Sequence, residues 1–236
     1  MAYVLIDGDI VAYRAAASYE GGHSGDPYEK ADQITQGILD DCSFYADVDA
    51  HHMFMSGTTN FRKAIAKTKV YKGNRKQAKP ESLSSVKTYL VDRYDGEFSV
   101  DQEADDLIGI YATMYGPADS IIASIDKDML QIPAYHYNIV SGSFQKVTDS
   151  EGTKFFYTQL LTGDTADNIP GVQGIGPKKA DKILEGLEDE YEMYEACLNA
   201  YQGDLEFLIE NAQLLWLRRE EGQMWQPPVK LEDFSG

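Results

Sequence analysis

An α/β fold with a mostly parallel central sheet, flanked by helices, is predicted for this 236-residue chain by three observations. Residues 2–6 (AYVLI) and 120–124 (SIIAS) are short apolar runs, each followed within two residues by an Asp. Such runs, without polar alternation, suit strands buried on both faces of a parallel sheet. Between them lie segments with helical apolar spacing, through Ile34, Ile38, Leu39 and Phe44, and through Leu83, Val86, Leu90 and Tyr94. Strand and helix patterns therefore alternate through the first two-thirds of the chain, which predicts crossover connections with helices on both faces.

The elements follow in order. Residues 2–6 form the first strand and run into Asp7, and residues 10–17 form a short helix. A loop over 21–27 leads to a helix over 28–46 and a second strand over 51–55. After a basic segment, residues 82–94 form a helix, and another opens at Glu103 and runs to 115. The strand at 120–124 leads to Asp126, and residues 137–140 with 143–147 read as a further strand or a hairpin. From residue 155 the pattern is helical, with helices over 177–184, 191–200 and 204–219 before an extended tail at 226–229.

Composition narrows the chemistry. Hydrophobic content of 43% and 25% charged residues are ordinary for a globular protein, and no apolar run is long enough to span a membrane. The N-terminus enters a strand directly and ends it on an acid, unlike a signal peptide. Cys42 and Cys197 lack metal spacing and read as reduced core thiols of a cytoplasmic protein. Histidines 23, 51, 52 and 136 form no helical i,i+4 pair, which argues against zinc. Net charge is −18, yet residues 51–79 contain no acid and carry Arg62, Lys63, Lys67, Lys69, Lys72, Arg75, Lys76 and Lys79. That gap reads either as a solvated basic face or as a phosphate-binding element set against acidic surroundings.

The acids themselves are grouped: Asp7-Gly-Asp9, Glu103-Ala-Asp105-Asp106, Asp126-Lys-Asp128 and Asp164-Thr-Ala-Asp167. Ligands of an open parallel sheet bind beyond the carboxyl ends of its strands, so three of these groups converge on one sheet edge. Two unit charges ~4 Å apart repel by about 4 kcal/mol at an effective dielectric of ~20. Converging acids therefore call for divalent cations, and all-oxygen ligands favour Mg²⁺ or Mn²⁺ over zinc. Asp126 and Asp7-Gly-Asp9 also suit helix caps, a use compatible with metal binding. No stretch has the Gly and Glu offsets of an EF-hand.

Two further stretches point to nucleic acid. Tyr71-Lys72-Gly-Asn-Arg75-Lys76 lies in the basic gap, where Lys72 and Arg75 would face a scissile phosphate and Tyr71 would stack on a terminal base. Asp164 and Asp167 are spaced i,i+3, as on one helical face ended by Pro170-Gly171. Gly174-Ile175-Gly176 then makes a turn whose N–H groups suit an anion, with Pro177 opening a helix and Lys178 and Lys179 beside it. The stretch lacks the GK[ST] of a P-loop and the third Gly of a dinucleotide turn. It reads as a helix–two-turn–helix clasp on a DNA backbone phosphate.

Five stretches, LIDGDIVAYR, NFRKAI with VYKGNRK, EADDLIG, SIDKDMLQIP and GDTADNIPGVQGIGPKKA, resemble in order the 5′-nuclease family. That family includes flap endonucleases, the 5′-nuclease domain of bacterial DNA polymerase I and free-standing phage 5′–3′ exonucleases. The resemblance implies a PIN-like nuclease core over residues 1–155, with a basic arch over about 61–94. A helical C-terminal region over 156–236 would follow, with the helix–two-turn–helix motif over about 160–185. It implies two-metal hydrolysis of DNA phosphodiesters at 5′ ends, flaps, nicks or gaps by a monomer, with RNA–DNA hybrids as further substrates and replication proteins as partners. One metal group would comprise Asp7, Glu103, Asp105 or Asp106, Asp126 and Asp128; a second would comprise Asp164 and Asp167, sharing Asp126 and Asp128. Lys72 and Arg75, with Asp126 and Asp128, would be catalytic. Tyr71, Lys76, Gly174, Gly176, Lys178 and Lys179 would contact DNA, and the Val172 and Ile175 carbonyls would hold K⁺. The resemblance places the protein in the cytoplasm, that of a host if phage-encoded. One position departs: Met55, followed by Ser56, stands where much of the family has a metal-ligating Asp. Two other readings fit the same residues, a junction binder with an impaired metal site and a ribonuclease of similar sheet topology.

Overall fold

The first strand sets the architecture because its apolar side chains point both ways. In the computed structural model, which describes residues 2–20 and 25–230, β1 (Ala2–Asp7) sends Val4 and Ile6 into one apolar cluster and Leu5 into the opposite one. It is followed by α1 (Gly8–Glu20), α2 (Pro27–Tyr45), β2 (Val48–Met55), the short α3 (Arg62–Ile65), α4 (Leu83–Tyr94), β3 (Glu97–Phe98), α5 (Ala104–Tyr115) and β4 (Ser120–Ser124). A 3₁₀ turn at Lys127–Gln131 leads to β5 (Ala134–Asn138) and β6 (Ser143–Val147). The remainder comprises α6 (Asp149–Thr162), β7 (Gly163–Asp164), β8 (Ile169–Pro170), α7 (Pro177–Ile183), α8 (Glu190–Ala200) and α9 (Leu205–Leu215).

The main sheet has the order β3-β2-β1-β4-β5-β6, parallel except for β6, which pairs antiparallel with β5. Helices α1, α2 and α4 cover one face, and α5 covers the other. A separate apolar cluster joins α6 to α9 and also takes in Tyr71, Ile65 and Ala66 from the basic segment. Helix α6 runs unbroken across residue 155, and α4 lies in the layer over the sheet. Among the described residues no helix is long and apolar enough to cross a membrane. Cys42 and Cys197 are buried free thiols, each pushed up to about 12 by burial.

Several boundaries differ from the sequence reading, each for a local reason. His23 and part of the loop expected over 21–27 lie outside the described residues. The helix expected from 155 starts at Asp149, because Thr148 and Glu151 form a reciprocal capping box. The helix expected over 204–219 stops at Leu215. There the Arg62 guanidinium takes the carbonyls of Leu214 and Trp216, and Leu217 N–H donates to the Gln131 side chain. Strand β3 was missed; two residues carry no periodicity to read.

Arg62 braces the molecule. It is buried, and its guanidinium donates to both Asp106 oxygens at 2.6 and 2.8 Å. Asp106 also accepts the N–H groups of Glu103 and Arg218, so the start of α5, the basic segment and the chain after α9 meet at one carboxylate. Removing one partner strands a buried charge, at a cost of about 3–5 kcal/mol. Arg62→Ala should lose stability on that order in urea unfolding; a loss under about 1 kcal/mol would show the brace to be dispensable.

Candidate active site

Beyond the carboxyl ends of β1, β2 and β4 lies a cavity of about 450 Å³, lined by Asp7, Asp9, Glu103, Asp105 and Asp126. Asp7 is the last residue of β1, Glu103 caps the N-terminus of α5, and Asp126 caps the 3₁₀ turn after β4. Lys63, Lys72, Arg75, Lys79 and Lys87 line the same cavity. The parallel register of β1 with β2 and β4 thus delivers acids far apart in sequence to one place.

These acids fall into two electrostatic classes. Glu103 accepts hydrogen bonds from the Tyr71 hydroxyl at 2.7 Å and from Lys72. Burial alone would raise its carboxyl, but Lys72 and Arg62 outweigh that and hold it below the usual range. Asp9 takes the Ser56 N–H at 3.2 Å and the Lys87 ammonium at 2.5 Å. Asp7, Asp105 and Asp126 differ: among the described residues no Lys or Arg nitrogen comes within 4 Å of their carboxylates. Asp7 accepts the Ser124 hydroxyl at 2.7 Å and the Ile10 N–H at 3.2 Å. Burial, then the Asp9 charge, push it up to about 7. Burial and the Asp7 charge likewise raise Asp105 well above the carboxylate range.

Asp128, Asp164 and Asp167 stand beside this cavity rather than in its lining. Asp128 accepts the Gln159 amide at 2.6 Å and is pushed up to about 6 by burial and by Asp126. Lys127 lies 2.9 Å from Asp164 and 3.7 Å from Asp128. Burial would raise Asp164, but Lys127 and two backbone N–H groups bring it down. Asp167 accepts from the Tyr71 hydroxyl at 2.9 Å and from Arg75 at 2.7 Å, with Lys72 3.5 Å away.

Three expectations need correction. Asp164 and Asp167 do not share a helix: Gly163, with φ +71°, ends α6, Asp164 ends β7, and Asp167 lies in the turn between β7 and β8. Asp164 shapes that turn by accepting the Ala166 and Asp167 N–H groups, and Gly163 and Gly171 pack backbone to backbone, where a Cβ on Gly171 would fall 2.3 Å from the Gly163 nitrogen. Asp106, named with the metal ligands, faces the buried Arg62 instead of the cavity. Tyr71, expected to stack on a base, is 5% exposed, and its hydroxyl bridges Glu103 and Asp167.

The remaining candidates lie where a nucleic-acid backbone can reach them. Lys76, Gly174, Gly176, Lys178 and Lys179 are exposed, and Pro177 opens α7 with Gly176 as its cap. Lys179 donates to the Gly174 carbonyl at 2.8 Å, and Ile175 N–H to the Val172 carbonyl at 3.1 Å. Met55 is fully buried, and Ser56 beyond it accepts the Ala104 N–H. Sequence reasoning missed Ser124, Gln159, Lys127 and Lys87 as supports of the acids. Ser124 ends the SIIAS strand beside the first strand's Asp; the other three carry no local signal.

The donor set suits hard divalent cations. Three carboxylates with no Lys or Arg nitrogen within 4 Å among the described residues, two of them raised by burial and by neighbouring acids, form a donor set that a divalent cation relieves. Among the described residues no three His, Cys, Asp or Glu side chains close on one point so as to hold an ion as they stand. Ligation here therefore needs side-chain movement at the carboxylates.

Comparisons with known proteins identify relatives by sequence and by fold. The family model described as 5′–3′ exonuclease, N-terminal resolvase-like domain matches residues 2–158. Flap endonuclease Xni of Shewanella halifaxensis is 33% identical over 141 residues, covering 53% of this chain and 55% of that protein. DNA polymerase I of Bacillus subtilis is 30% identical over 229 residues, covering 82% of this chain and 24% of the polymerase. The chain thus spans about half the length of the first of these relatives and a quarter of the second. The T5 D15 protein co-crystallised with metal ions superposes with a TM-score of 0.69 at 17% identity, covering 91% of this chain and 89% of that one. The catalytic core of Rad2 in complex with DNA substrate gives 0.52 at 12% identity, covering 90% and 72%. These two likenesses show the fold.

Raised carboxyls make stability depend on pH. Asp7 keeps its proton to about pH 7 when folded but loses it near 3.8 when unfolded. Its contribution is full below 3.8 and declines as pH rises towards 7. Without divalent cations, the melting temperature should fall from pH 5 to pH 8, and less so in Asp7→Asn. Mg²⁺ should stabilise the protein more at pH 8 than at pH 5, because cation and proton compete. Identical pH profiles for both proteins would contradict the assignment.

Proposed function

The chain belongs to the 5′–3′ exonuclease family, and we propose from that membership that its acidic cavity cleaves DNA phosphodiesters at 5′ ends and flaps. The observation that carries the proposal is the meeting of un-neutralised Asp7, Asp105 and Asp126 with Lys72 and Arg75 in one cavity.

Asp7, Asp105 and Asp126, with Glu103 beside them, would hold one divalent ion; Asp128, Asp164 and Asp167 would hold a second. Mg²⁺ or Mn²⁺ bound there would supply an activated water and neutralise charge on the phosphoryl oxygens and on the departing 3′-oxygen. The chain's own part is positioning. Ser124 and the Ile10 N–H fix Asp7, Gln159 fixes Asp128, and Tyr71 ties Glu103 to Asp167. Lys72 and Arg75 offset charge gathering on the scissile phosphate. Their bonds to Glu103 and Asp167 keep both cations at the cavity wall, and burial of Lys72 is outweighed by those acids, which hold it protonated. Lys178, Lys179 and the N–H groups near Gly174 and Gly176 would take a duplex phosphate, with K⁺ on the Val172 and Ile175 carbonyls. Products would be a 5′-phosphate and a 3′-hydroxyl, and an RNA primer paired to DNA offers the same bond.

A 5′-labelled flap with Mg²⁺ tests this reading. Asp126→Ala should slow cleavage at least about a thousandfold while binding in Ca²⁺ survives. Binding by the wild type without cleavage would favour a junction binder, and faster turnover of matched RNA a ribonuclease. Lys72→Ala should lower the single-turnover rate about a hundredfold or more and leave duplex affinity nearly unchanged. Lys178→Ala and Lys179→Ala should instead weaken duplex binding and flatten its salt dependence by about one unit each. An unaltered single-turnover rate in Lys72→Ala would remove that residue from the phosphate.

A further inference from the structure

A second cavity, of about 560 Å³, adjoins the first and shares Ser56, Gly57, Thr58, Thr59, Lys79 and Lys87 with it. Its character is different. Where the first cavity is walled by acids and cations, this one is walled by Leu83, Phe98 and Val100, with Phe98 38% and Val100 78% exposed. Exposed hydroxyls of Thr58 and Ser84 also line it, and its single carboxylate is Glu81. Phe98 is held on the two-residue edge strand β3, registered against Met55 of β2. Its ring therefore has a fixed support at the rim.

The two cavities also have a direction. At the first cavity, Lys72 and Arg75 bond Asp167, on the side of the C-terminal turns. Lys87, bonded to Asp9, and Lys79 belong to both cavities. A strand whose duplex lies towards α7 would cross the first cavity at its phosphate and leave past Lys79 and Lys87. The next group to arrive in the second cavity is then a nucleobase. An apolar ring with hydroxyls around it suits an uncharged planar heterocycle better than it suits a phosphate.

We propose that this second cavity binds the first unpaired nucleobase on the 5′ side of the bond to be cut, against Phe98 and Val100, with Lys79 beside its phosphate. The proposal rests on reading the first cavity as the cleavage site, and it makes Phe98 a specificity determinant for unpaired 5′ ends. Lys79 is exposed and makes no ion pair among the described residues, so it is available to a backbone phosphate.

The test uses flap DNA with 2-aminopurine, or an abasic residue, at the first unpaired position. In Ca²⁺ the wild type should quench 2-aminopurine fluorescence, and Phe98→Ala should abolish most of that quenching. In Mg²⁺ the wild type should cleave base-bearing flaps about tenfold more efficiently than abasic ones, the scale of one base–aromatic stack. Phe98→Ala should remove the difference while cutting nicked duplex without a flap at the wild-type rate. Val100→Ser, at a highly exposed position, should show the same trend should Phe98→Ala fold poorly. Equal handling of base and abasic flaps by the wild type, or quenching indifferent to both substitutions, would overturn the proposal. Phe98-dependent quenching with no cleavage of any substrate would uphold the base contact at Phe98 and defeat the cleavage reading instead.

Discussion

Mutual repulsion of carboxylates at the end of a buried sheet is the constraint around which this molecule is organised. Asp7 ends a strand whose side chains are buried on both faces, so its position is fixed by the core. Asp126 follows the neighbouring strand, and Glu103 caps α5, which begins at Ala104 a short loop after β3. Asp7 cannot retreat into solvent without unpacking the strand that carries it. The fold therefore has to supply positive charge or leave acids protonated. It does both.

The acid-free basic segment supplies part of that charge, and Lys87 and Lys127 supply the rest. Lys72 and Arg75 sit on Glu103 and Asp167, Lys127 on Asp164, and Lys87 on Asp9. Tyr71 anchors the segment by burying its ring among the C-terminal helices while its hydroxyl reaches both Glu103 and Asp167. Among the described residues no Lys or Arg nitrogen comes within 4 Å of the carboxylates of Asp7, Asp105 and Asp126, and at Asp7 and Asp105 burial shifts the balance towards the protonated form. A net charge of −18 is thus compatible with a phosphate-handling cavity, because the local distribution decides the local potential.

Much of this was legible in the sequence because it rests on patterns that survive without tertiary context. Unbroken apolar runs ending in acids identified β1 and β4, and the open-sheet rule placed their acids together. The misses share one cause. Asp106 has the same local spacing as Asp105, but only the fold brings Arg62, 44 residues away, to claim it. Tyr71 stands among exposed cations in sequence and is drawn inside by an apolar cluster built from residues 156–225. The i,i+3 spacing of Asp164 and Asp167 suits a helix and a turn equally; Gly163 at positive φ decides for the turn. Lys87 lies one residue from the apolar stripe of α4, and nothing local says that it will meet Asp9.

A direct measurement addresses the central claim without reference to catalysis. Crystals grown with Mn²⁺ and measured at its absorption edge should show an anomalous peak within about 2.3 Å of oxygens from Asp7, Asp105 and Asp126 together. That peak should be absent when Asp105 is replaced by Asn. Manganese bound only elsewhere, or no peak at concentrations that stabilise the protein, would contradict the account that these distant acids form one ion-holding pocket.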